Sequence, residues 1–283
     1  RMHPNGLNHL VTIGFNLLSL ANNHSMDYGV PGLQETLKHT VALKKIGINV
    51  TYAGIGMNRE EASRPQIINV KGYKIAYAAI GIVTNNLARH RADTNKPGQI
   101  AYRFDEDYAL IRKRLVETPA DFRILSIHYG IEGRVRVDAR QILQWRGMAA
   151  REDGIDLIVG HHAHVVRGVE MNGHSLIFYG LGNFLHHGTA NMTRRGICKN
   201  YGLFAKVYLA GMGKERLTIK AVQVIPITDT HYKTRRLTGL SGQKHIHALN
   251  YLAQIANTRL LFFFHSCRVG KRSLLILPLS VGI

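Results

Sequence analysis

The stretch FRILSIHYG, residues 122–130, decides the fold class of this chain. Its mostly apolar run ends abruptly in a His-Tyr-Gly turn. A short apolar run bounded by turn-forming residues is typical of a strand that is buried on both faces of a sheet. Helical patterns lie on either side of it, at 105–117 and 138–153, and the first of them has acids in its first turn and bases later, as the helix dipole favours. The order helix, strand, helix predicts an α/β fold.

The neighbouring segments extend this pattern in both directions. The sequence predicts a helix at 30–46 that ends at Gly47, a hairpin at 66–83 and a buried strand at 155–160. A further strand and turn follow at 175–185, and antiparallel strands at 203–210 and 215–227. Helices that alternate with apolar strands and hairpins favour an α/β sandwich with mixed sheets. We expect one domain over residues 1–230 and a segment of uncertain structure over 231–283, whose tail after about residue 258 has no clear period.

The chain is strongly basic. Its 37 Lys and Arg residues outnumber 18 Asp and Glu residues, and the resulting net charge of +19 suits a polyanionic partner such as nucleic acid, anionic lipid or an acidic polymer. The basic residues are widely spread, with small clusters such as KTRR at 233–236 and RVGKR at 268–272. The sequence lacks aromatic-basic interleaving and any RNA-recognition signature, which disfavours nucleic acid as the partner. The two cysteines provide neither a disulfide framework nor a zinc cluster.

Polar side chains follow four of the predicted strands at the point where each strand ends. They are Asn22, Asn23 and His24 after LLSLA, His128 after FRILSI, His161, His162 and His164 after IDLIVG, and Asn183 after LIFYGLG. Ligands of open α/β sheets bind beyond the carboxyl ends of the strands, so we expect these groups around one cleft. Imidazole and amide oxygen are ligands for divalent metals, which favours a metal site. Each residue also has a structural alternative, as a turn former, a helix cap or a hydrogen-bonded histidine.

Five motifs that contain these residues occur in order along the chain. They are ANNHSMDYG (21–29), YAGIGMNREEASRP (52–65), SIHYGIEGRV (126–135), VGHHAHVVRGVE (159–170) and YGLGNFL (179–185). In order and spacing they resemble the bacterial CapA family of poly-γ-glutamate capsule synthesis, a branch of the calcineurin-like metallophosphatases, over about residues 10–230. The resemblance implies a layered αββα sandwich of two mixed sheets, with a dinuclear centre of two divalent metal ions (Mn, Fe or Zn) at the strand ends.

The resemblance also implies a role for each residue. The metal ligands would be Asn23, His128, His162 and His164. His24 resembles the catalytic histidine of the superfamily, which protonates a leaving oxygen or stabilises charge on the phosphoryl group. Asp27 either orients His24 or caps the helix that follows. The residues assigned to the pocket around the metals are Asn22, Glu132, His161 and Asn183.

The beginning of the chain departs from the family pattern. Members open with a strand that carries an aspartate ligand and continue with a second acidic or amide motif, whereas residues 1–22 contain no Asp or Glu. One asparagine and three histidines are neutral ligands, and they are incomplete for a bridged pair of cations. We therefore expect an N-terminally truncated copy without its first strands, which binds divalent metal weakly and has little or no hydrolytic activity.

Capsule synthesis is the role that we expect, and two kinds of activity fit it. One is metal-dependent hydrolysis of a phosphate ester, with a phosphorylated small molecule as the substrate. The other is non-catalytic, in which a basic surface holds or exports poly-γ-glutamate as part of the capsule synthesis machinery at the membrane. The resemblance implies a place in the cell envelope, although no signal peptide is visible and the apolar pieces at 260–264 and 274–283 are too short to span a bilayer of about 30 Å.

Overall fold

The computed structural model describes residues 3–45, 50–82, 87–149, 154–186, 196–211, 216–255 and 275–278. The chain divides into two compact units, the first of residues 1–128 with 278–283 and the second of residues 129–277. Both units combine helices with parallel and antiparallel strands, which confirms the predicted α/β class with mixed sheets. The predicted boundary at residue 230 lies inside the second unit, and the division into 1–230 and 231–283 stays a prediction.

The first unit begins with a helix and ends with a buried strand. Its elements are α1 (Pro4–Thr12), β1 (Leu17–Ser19), α2 (Gly29–Lys45), β2 (Thr51–Ala53), β3 (Ile55–Gly56), α3 (Arg59–Ser63), β4 (Gln66–Val70), β5 (Tyr73–Gly81), α4 (Leu87–His90), β6 (Gly98–Gln99), α5 (Asp105–Glu117) and β7 (Phe122–His128). Strand β1 pairs in parallel with β2. Strands β4 and β5 pair antiparallel, which confirms the predicted hairpin. Strand β5 also pairs in parallel with β7.

Strands β5 and β7 form the core of the first unit. Successive residues of both strands are buried, among them Ala79 and Ile80 in β5 and Leu125 and Ser126 in β7. Because successive strand residues point to opposite faces, such a run is buried on both faces. The apolar stretch that predicts the fold class is therefore a strand buried on both faces. Its carboxyl end places His128 at the sheet edge.

The second unit contains two groups of strands. Its elements are α6 (Ala139–Ala149), β8 (Leu157–His161), β9 (Val169–Asn172), β10 (Ser175–Phe178), β11 (Gly202–Ala210), β12 (Thr218–Thr228), β13 (Arg235–Arg236), α7 (Gly239–Ile255) and β14 (Leu275–Pro278), the last of which ends at the boundary between the units. Strand β10 pairs in parallel with β8 and antiparallel with β9. Strands β11 and β12 pair antiparallel, as predicted, and β12 continues into an antiparallel pair with β13. Trp145 of α6 stacks on Tyr179 at 5.2 Å between ring centroids, which packs the helix against the sheet of β8 and β10.

Helices α1 and α7 were not predicted from the sequence, nor were the short helices α3 and α4. Helix α1 begins with Pro4 at its first turn and buries Leu7 and Val11 at i, i+4 spacing. Helix α7 lies in the segment of uncertain structure and buries Leu249 and Leu252 at i, i+3 spacing. The predicted stop at Gly47 and most of the tail after residue 258 lie outside the described residues. Within the described ranges, no helix has both the length and the apolar character needed to cross a bilayer.

Candidate functional site

Loop 20–28 follows β1 and begins with a tight turn around its asparagines. The Ser25 N–H donates to the Asn22 carbonyl at 3.2 Å, and the Asn22 side-chain oxygen accepts from the His24 N–H at 2.8 Å. Short amide side chains favour turns because they satisfy nearby backbone donors in this way. Asn22 is therefore a turn-forming residue, while Asn23 and His24 have their side chains engaged elsewhere.

Ser25 and Gln99 anchor this loop. The Ser25 hydroxyl oxygen lies 2.6 Å from the Leu20 carbonyl and 3.1 Å from the Gln99 side-chain oxygen. Gln99 is buried, and its amide nitrogen donates to the Ile82 carbonyl at 2.9 Å. Neither residue was among the predicted site residues. Ser25 is visible in the Asn-Asn-His-Ser sequence, whereas Gln99 lies 74 residues further along and has no local signal.

Gly81 at the end of β5 allows loop 20–28 to approach the sheet. A Cβ at this position would lie 2.3 Å from the Ala21 carbonyl oxygen, closer than non-bonded atoms come. The register of β5 and β7 places Gly81 opposite His128. The absence of a side chain at residue 81 therefore lets Asn23 come beside His128.

The side chains of this loop form a hydrogen-bonded chain that ends on β7. Asp27 Oδ2 lies 2.7 Å from His24 Nδ1, and His24 Nε2 lies 3.1 Å from Asn23 Nδ2. Asn23 Oδ1 lies 2.9 Å from His128 Nε2. Because a carboxylate only accepts and an amide nitrogen only donates, His24 carries its proton on Nδ1 and its lone pair on Nε2. Of the two roles considered for Asp27, this contact matches the orienting one.

The four side chains of this hydrogen-bonded series differ in their exposure to solvent. The His24 side chain is 69% exposed and that of Asp27 is 45% exposed. Asn23 and His128 are half-buried. An exposed imidazole with an oriented tautomer is accessible to a ligand in solution, which is the arrangement required of a general acid or base.

Residues 161–164 of the second unit follow β8 and have an unusual backbone. His162 has φ 84° and His164 has φ 57°. This left-handed region costs a residue with a side chain roughly 1–2 kcal/mol. Ala163 between them is buried, and its carbonyl accepts from the Gly133 N–H at 2.8 Å. The two histidine rings lie with their centroids 6.5 Å apart. Strain of this kind is found preferentially where a site requires it.

Asn183 and His186 fix the ring of His164. His164 Nδ1 lies 2.8 Å from Asn183 Oδ1, and the His186 ring packs edge-on against it with centroids 4.8 Å apart. Since the amide oxygen only accepts, His164 carries its proton on Nδ1 and its lone pair on Nε2. Asn183, predicted to belong to the pocket wall, is thus the hydrogen-bond partner of a predicted ligand. His186 was not predicted, because no spacing distinguishes it from the other histidines.

His161 differs from its two neighbours in its environment. It is the last residue of β8, and its Nε2 atom is fully buried although the residue as a whole is half-buried. Burial disfavours the charged imidazolium and lowers the pKa of His161 to about 4. The ring is therefore neutral at pH 7.

Arg167 holds the loop that carries Glu132. It is 1% exposed, and its guanidinium donates to the Ile131 carbonyl at 2.8 Å and to the Arg134 carbonyl at 2.9 Å. Burial lowers the pKa of Arg167 to about 10, so the side chain stays charged at neutral pH. Glu132, a predicted pocket residue, is exposed on this loop. Arg167 was not predicted, since an arginine between apolar residues gives no sign of being buried.

The structure brings predicted site residues together in three contacts. They are His24 with Asp27, Asn23 with His128, and His164 with Asn183. Among the described residues, no group of three or more His, Cys, Asp and Glu side chains is arranged to hold a metal ion. The convergence of the ligands of both units on one cleft, and the metal itself, stay predictions.

The contacts fit single metal ligands better than a bridged pair of ions. Two adjacent ligand atoms with bonds of about 2.1 Å to one cation stand roughly 3.0–3.4 Å apart. Asn23 Oδ1 and His128 Nε2 are 2.9 Å apart, and because the amide oxygen only accepts, Nε2 donates in this contact. A cation between them would require a small shift and the His128 proton on Nδ1 instead. His164 has Nδ1 held by an amide oxygen and its Nε2 lone pair available, which is how ligating histidines are usually oriented. These ligands are all neutral, however, and offer no carboxylate to bridge two cations.

A solved structure of a hypothetical protein from Thermus thermophilus is similar to this chain, with a TM-score of 0.47 and 13% sequence identity. The similarity covers 84% of this chain and 82% of that one. At this TM-score the similarity supports no conclusion about the fold or the site.

Two curated relatives are similar at the level of sequence. The chain is 32% identical over 176 residues to the capsule biosynthesis protein CapA of Bacillus anthracis, which covers 61% of this chain and 40% of that protein. It is 30% identical over 194 residues to the PGA biosynthesis protein CapA of Bacillus subtilis (strain 168), which covers 69% of this chain and 48% of that protein. The chain thus spans about half the length of the curated relatives that it matches.

The family model of the bacterial capsule synthesis protein PGA_cap matches residues 1–187. This range is more than half of the chain, and it contains every predicted site residue. The resemblance inferred from the five motifs is therefore confirmed. This chain belongs to the PGA_cap family of bacterial capsule synthesis proteins.

Proposed function

We propose that this chain serves the synthesis or export of poly-γ-glutamate at the cell envelope. Membership of the PGA_cap family supports this role, as do the names of its relatives, capsule biosynthesis protein and PGA biosynthesis protein. The net charge of +19 supports a polycarboxylate partner, because a basic protein attracts an acidic polymer. The role implies a partnership with capsule synthesis machinery at the membrane.

As the chemistry of the site, we propose metal-dependent hydrolysis of a phosphate ester. The observation that carries this proposal is the hydrogen-bonded chain from Asp27 through His24 and Asn23 to His128. A divalent cation, when bound, would polarise the phosphoryl oxygens and lower the pKa of a bound water. Asn23 and His128 are the ligands that we propose in the first unit.

The exposed His24 is the residue that we propose for proton transfer. Asp27 holds the proton on Nδ1, so Nε2 is the atom that exchanges a proton with the substrate, once the substrate displaces the Asn23 amide nitrogen that lies 3.1 Å from it. When His24 is protonated, the carboxylate of Asp27 stabilises the imidazolium, and Nε2 can donate to a leaving oxygen. Asn23 connects the two functions, because one end of its amide contacts His24 and the other contacts His128.

His162 and His164 are the ligands that we propose in the second unit. The bond from Asn183 orients the His164 ring, and the left-handed backbone at both histidines is the strain that such a site would require. Because all four ligands are neutral, we expect weak metal binding rather than tight uptake of two ions.

Titration of the purified chain with Mn²⁺ tests the metal site. We expect Asn23→Ala and His164→Ala each to reduce Mn²⁺ binding measurably. His174→Ala, which removes an exposed histidine in the turn between β9 and β10, should leave it unchanged. Equal binding by all four proteins would contradict the proposed ligands. Hydrolysis of p-nitrophenyl phosphate, measured on the same samples, tests the chemistry separately, and with this neutral ligand set we expect little or no turnover by this chain.

A non-catalytic polyanion-binding role is the second candidate. The excess of 37 basic over 18 acidic residues favours it, since this charge does not depend on a metal. Binding of poly-γ-glutamate in the presence of a chelator would support this role. Binding that requires Mn²⁺ would favour the metal-dependent site instead.

A further inference from the structure

The turn between β12 and β13, residues 229–236, is here named the basic turn. Asp229 opens it with φ 54°, and its carbonyl accepts from the Tyr232 N–H at 3.0 Å. The Asp229 carboxylate forms an ion pair with Arg235 across the turn. The one acidic side chain of the turn is thus neutralised within it.

The basic side chains of this turn are exposed. It contains three basic residues, Lys233, Arg235 and Arg236, against the single acid Asp229, and all three are exposed. Tyr232 beside them is 76% exposed. The turn borders a cavity of about 430 Å³ lined by Asp229, His231, Tyr232, Lys233 and Arg235. Small-molecule sites typically have volumes of about 300–1,000 Å³.

The basic turn is fixed to the segment that orients His164. The His186 N–H donates to the Thr230 carbonyl at 2.6 Å, and the Thr234 hydroxyl donates to the Phe184 carbonyl. The same segment carries Asn183, which holds His164 Nδ1, and His186, whose ring packs on that of His164. Two hydrogen bonds therefore fasten the cationic surface beside the predicted ligand of the second unit.

We propose that the basic turn binds the carboxylates of an extended polycarboxylate chain and positions that chain beside His164. This inference rests on the proposed role in poly-γ-glutamate synthesis or export. Lysine and arginine form charge-assisted hydrogen bonds with carboxylates. Arg236 and Lys233 have no acid in the turn to neutralise them, because Asp229 is paired with Arg235.

The composition of the turn favours a polycarboxylate over nucleic acid. Single-stranded nucleic acids are bound by several aromatic side chains on which successive bases stack. The basic turn offers one exposed aromatic ring, that of Tyr232, beside the smaller, half-buried imidazole of His231. One exposed ring is sufficient to cover the methylene groups of a glutamate side chain, but it provides no series of stacking platforms.

Fluorescence anisotropy with labelled poly-γ-glutamate tests this site. The test variant Lys233→Ala/Arg236→Ala removes two charges from the basic turn. The matched control Lys220→Ala/Lys244→Ala removes two exposed charges elsewhere in the second unit. We expect Kd to rise about five- to tenfold for the test variant and less than about twofold for the control, since each exposed ion pair contributes modestly. Tyr232→Ala should weaken binding by about two- to threefold.

Each outcome has a distinct meaning. Binding by the unmodified chain and by the control, but weaker binding by the test variant, supports the basic turn as the site. Equal losses of affinity in the test variant and the control would overturn the basic turn as the binding site, while the proposed role in polymer synthesis would stand. Failure of the unmodified chain to bind the polymer would overturn both. A single-stranded DNA oligonucleotide of equal charge that competes equally well at about 0.15 M salt would overturn the preference for carboxylates.

Discussion

Loop 20–28 and residues 161–164 both present histidines at the end of a strand, but they hold them by different means. In loop 20–28, side-chain hydrogen bonds determine the conformation: those of Asn22 and Ser25 shape the loop, and that of Asp27 orients His24. In residues 161–164, the backbone conformation positions the rings, with a positive φ at His162 and His164. One region depends on polar side chains that are visible in the sequence, the other on a conformation that the rest of the fold imposes.

The two regions should therefore respond differently to mutation. Removing a polar group from loop 20–28 leaves a hydrogen-bonding partner unsatisfied, which costs about 1–3 kcal/mol when that partner is buried. A glycine at 162 or 164 should instead be neutral or favourable for stability, because it removes the strain of a positive φ. Stability and function are thus expected to change together in the first region and in opposite directions in the second.

The largest effect is expected from His24. In a family member with measurable phosphoesterase turnover, alanine at the position of His24 should lower turnover about 10²–10⁴-fold, because a general acid or base is lost. Metal content should stay nearly unchanged, since His24 is not among the proposed ligands. Metal analysis and single-turnover kinetics on the same sample measure both. A loss of metal with unchanged turnover per bound metal would make His24 a ligand instead.

His161, whose Nε2 atom is fully buried, should make the stability of the fold depend on pH. Its pKa is about 4 in the folded protein against 6.5 in the unfolded chain. Between these values only the unfolded state gains the proton, so stability is lost as the pH falls from about 6.5 to 4, by up to about 3 kcal/mol.

Urea unfolding of the chelator-treated protein at several pH values measures this slope. His161→Asn should flatten it, whereas His174→Asn, at an exposed position, should leave it unchanged. An equal slope in all three proteins would show that burial of His161 does not control the acid sensitivity.

Gly81 tests whether loop 20–28 depends on close packing against β5. Gly81→Ala would place a Cβ 2.3 Å from the Ala21 carbonyl and should destabilise the protein by about 1–3 kcal/mol. The matched control is Gly147→Ala in helix α6, where a Cβ meets no atom within 4 Å. That change should be neutral or stabilising by up to about 1 kcal/mol. If chemical denaturation gave both variants the same stability, the loop would tolerate displacement from the sheet.

The smallest effect is expected at His162, where glycine and alanine can be compared directly. Because φ is 84°, His162→Gly should be more stable than His162→Ala by about 1 kcal/mol. Thermal unfolding of both variants measures the difference. Equal stability of the His162→Ala and His162→Gly variants would show that the fold does not impose the left-handed conformation at this residue.

The core and the strand ends were predictable from the sequence because their signals are local. The apolar run that ends at His128 predicts a buried strand. The polar residues that follow the run predict where this strand ends, with His128 at its carboxyl end. The roles of Gln99 and Arg167 were not predictable, since each acts through contacts with residues distant in the chain. The backbone of His162 and His164 also escaped prediction, because a positive φ is uncommon for any residue with a side chain, even though histidine adopts it more often than most.

Helices α1 and α7 were missed for a different reason. Each has apolar residues at helical spacing, as with Leu7 and Val11 or Leu249 and Leu252, but the segments are rich in glycine, asparagine and histidine. These residues have low helix propensity, and burial against the rest of the unit overrides that preference.

The contact between Asn23 and His128 has a consequence for the order of events during synthesis. The two residues are 105 positions apart. Neither the amide nor the imidazole can find its partner until residue 128 has left the ribosome, and N-terminal segments generally fold first. His128 belongs to the last strand of the first unit in chain order, so the pair forms only when β7 has been added beside β5. Any ligand that requires both residues therefore reports that β7 has taken its place beside β5.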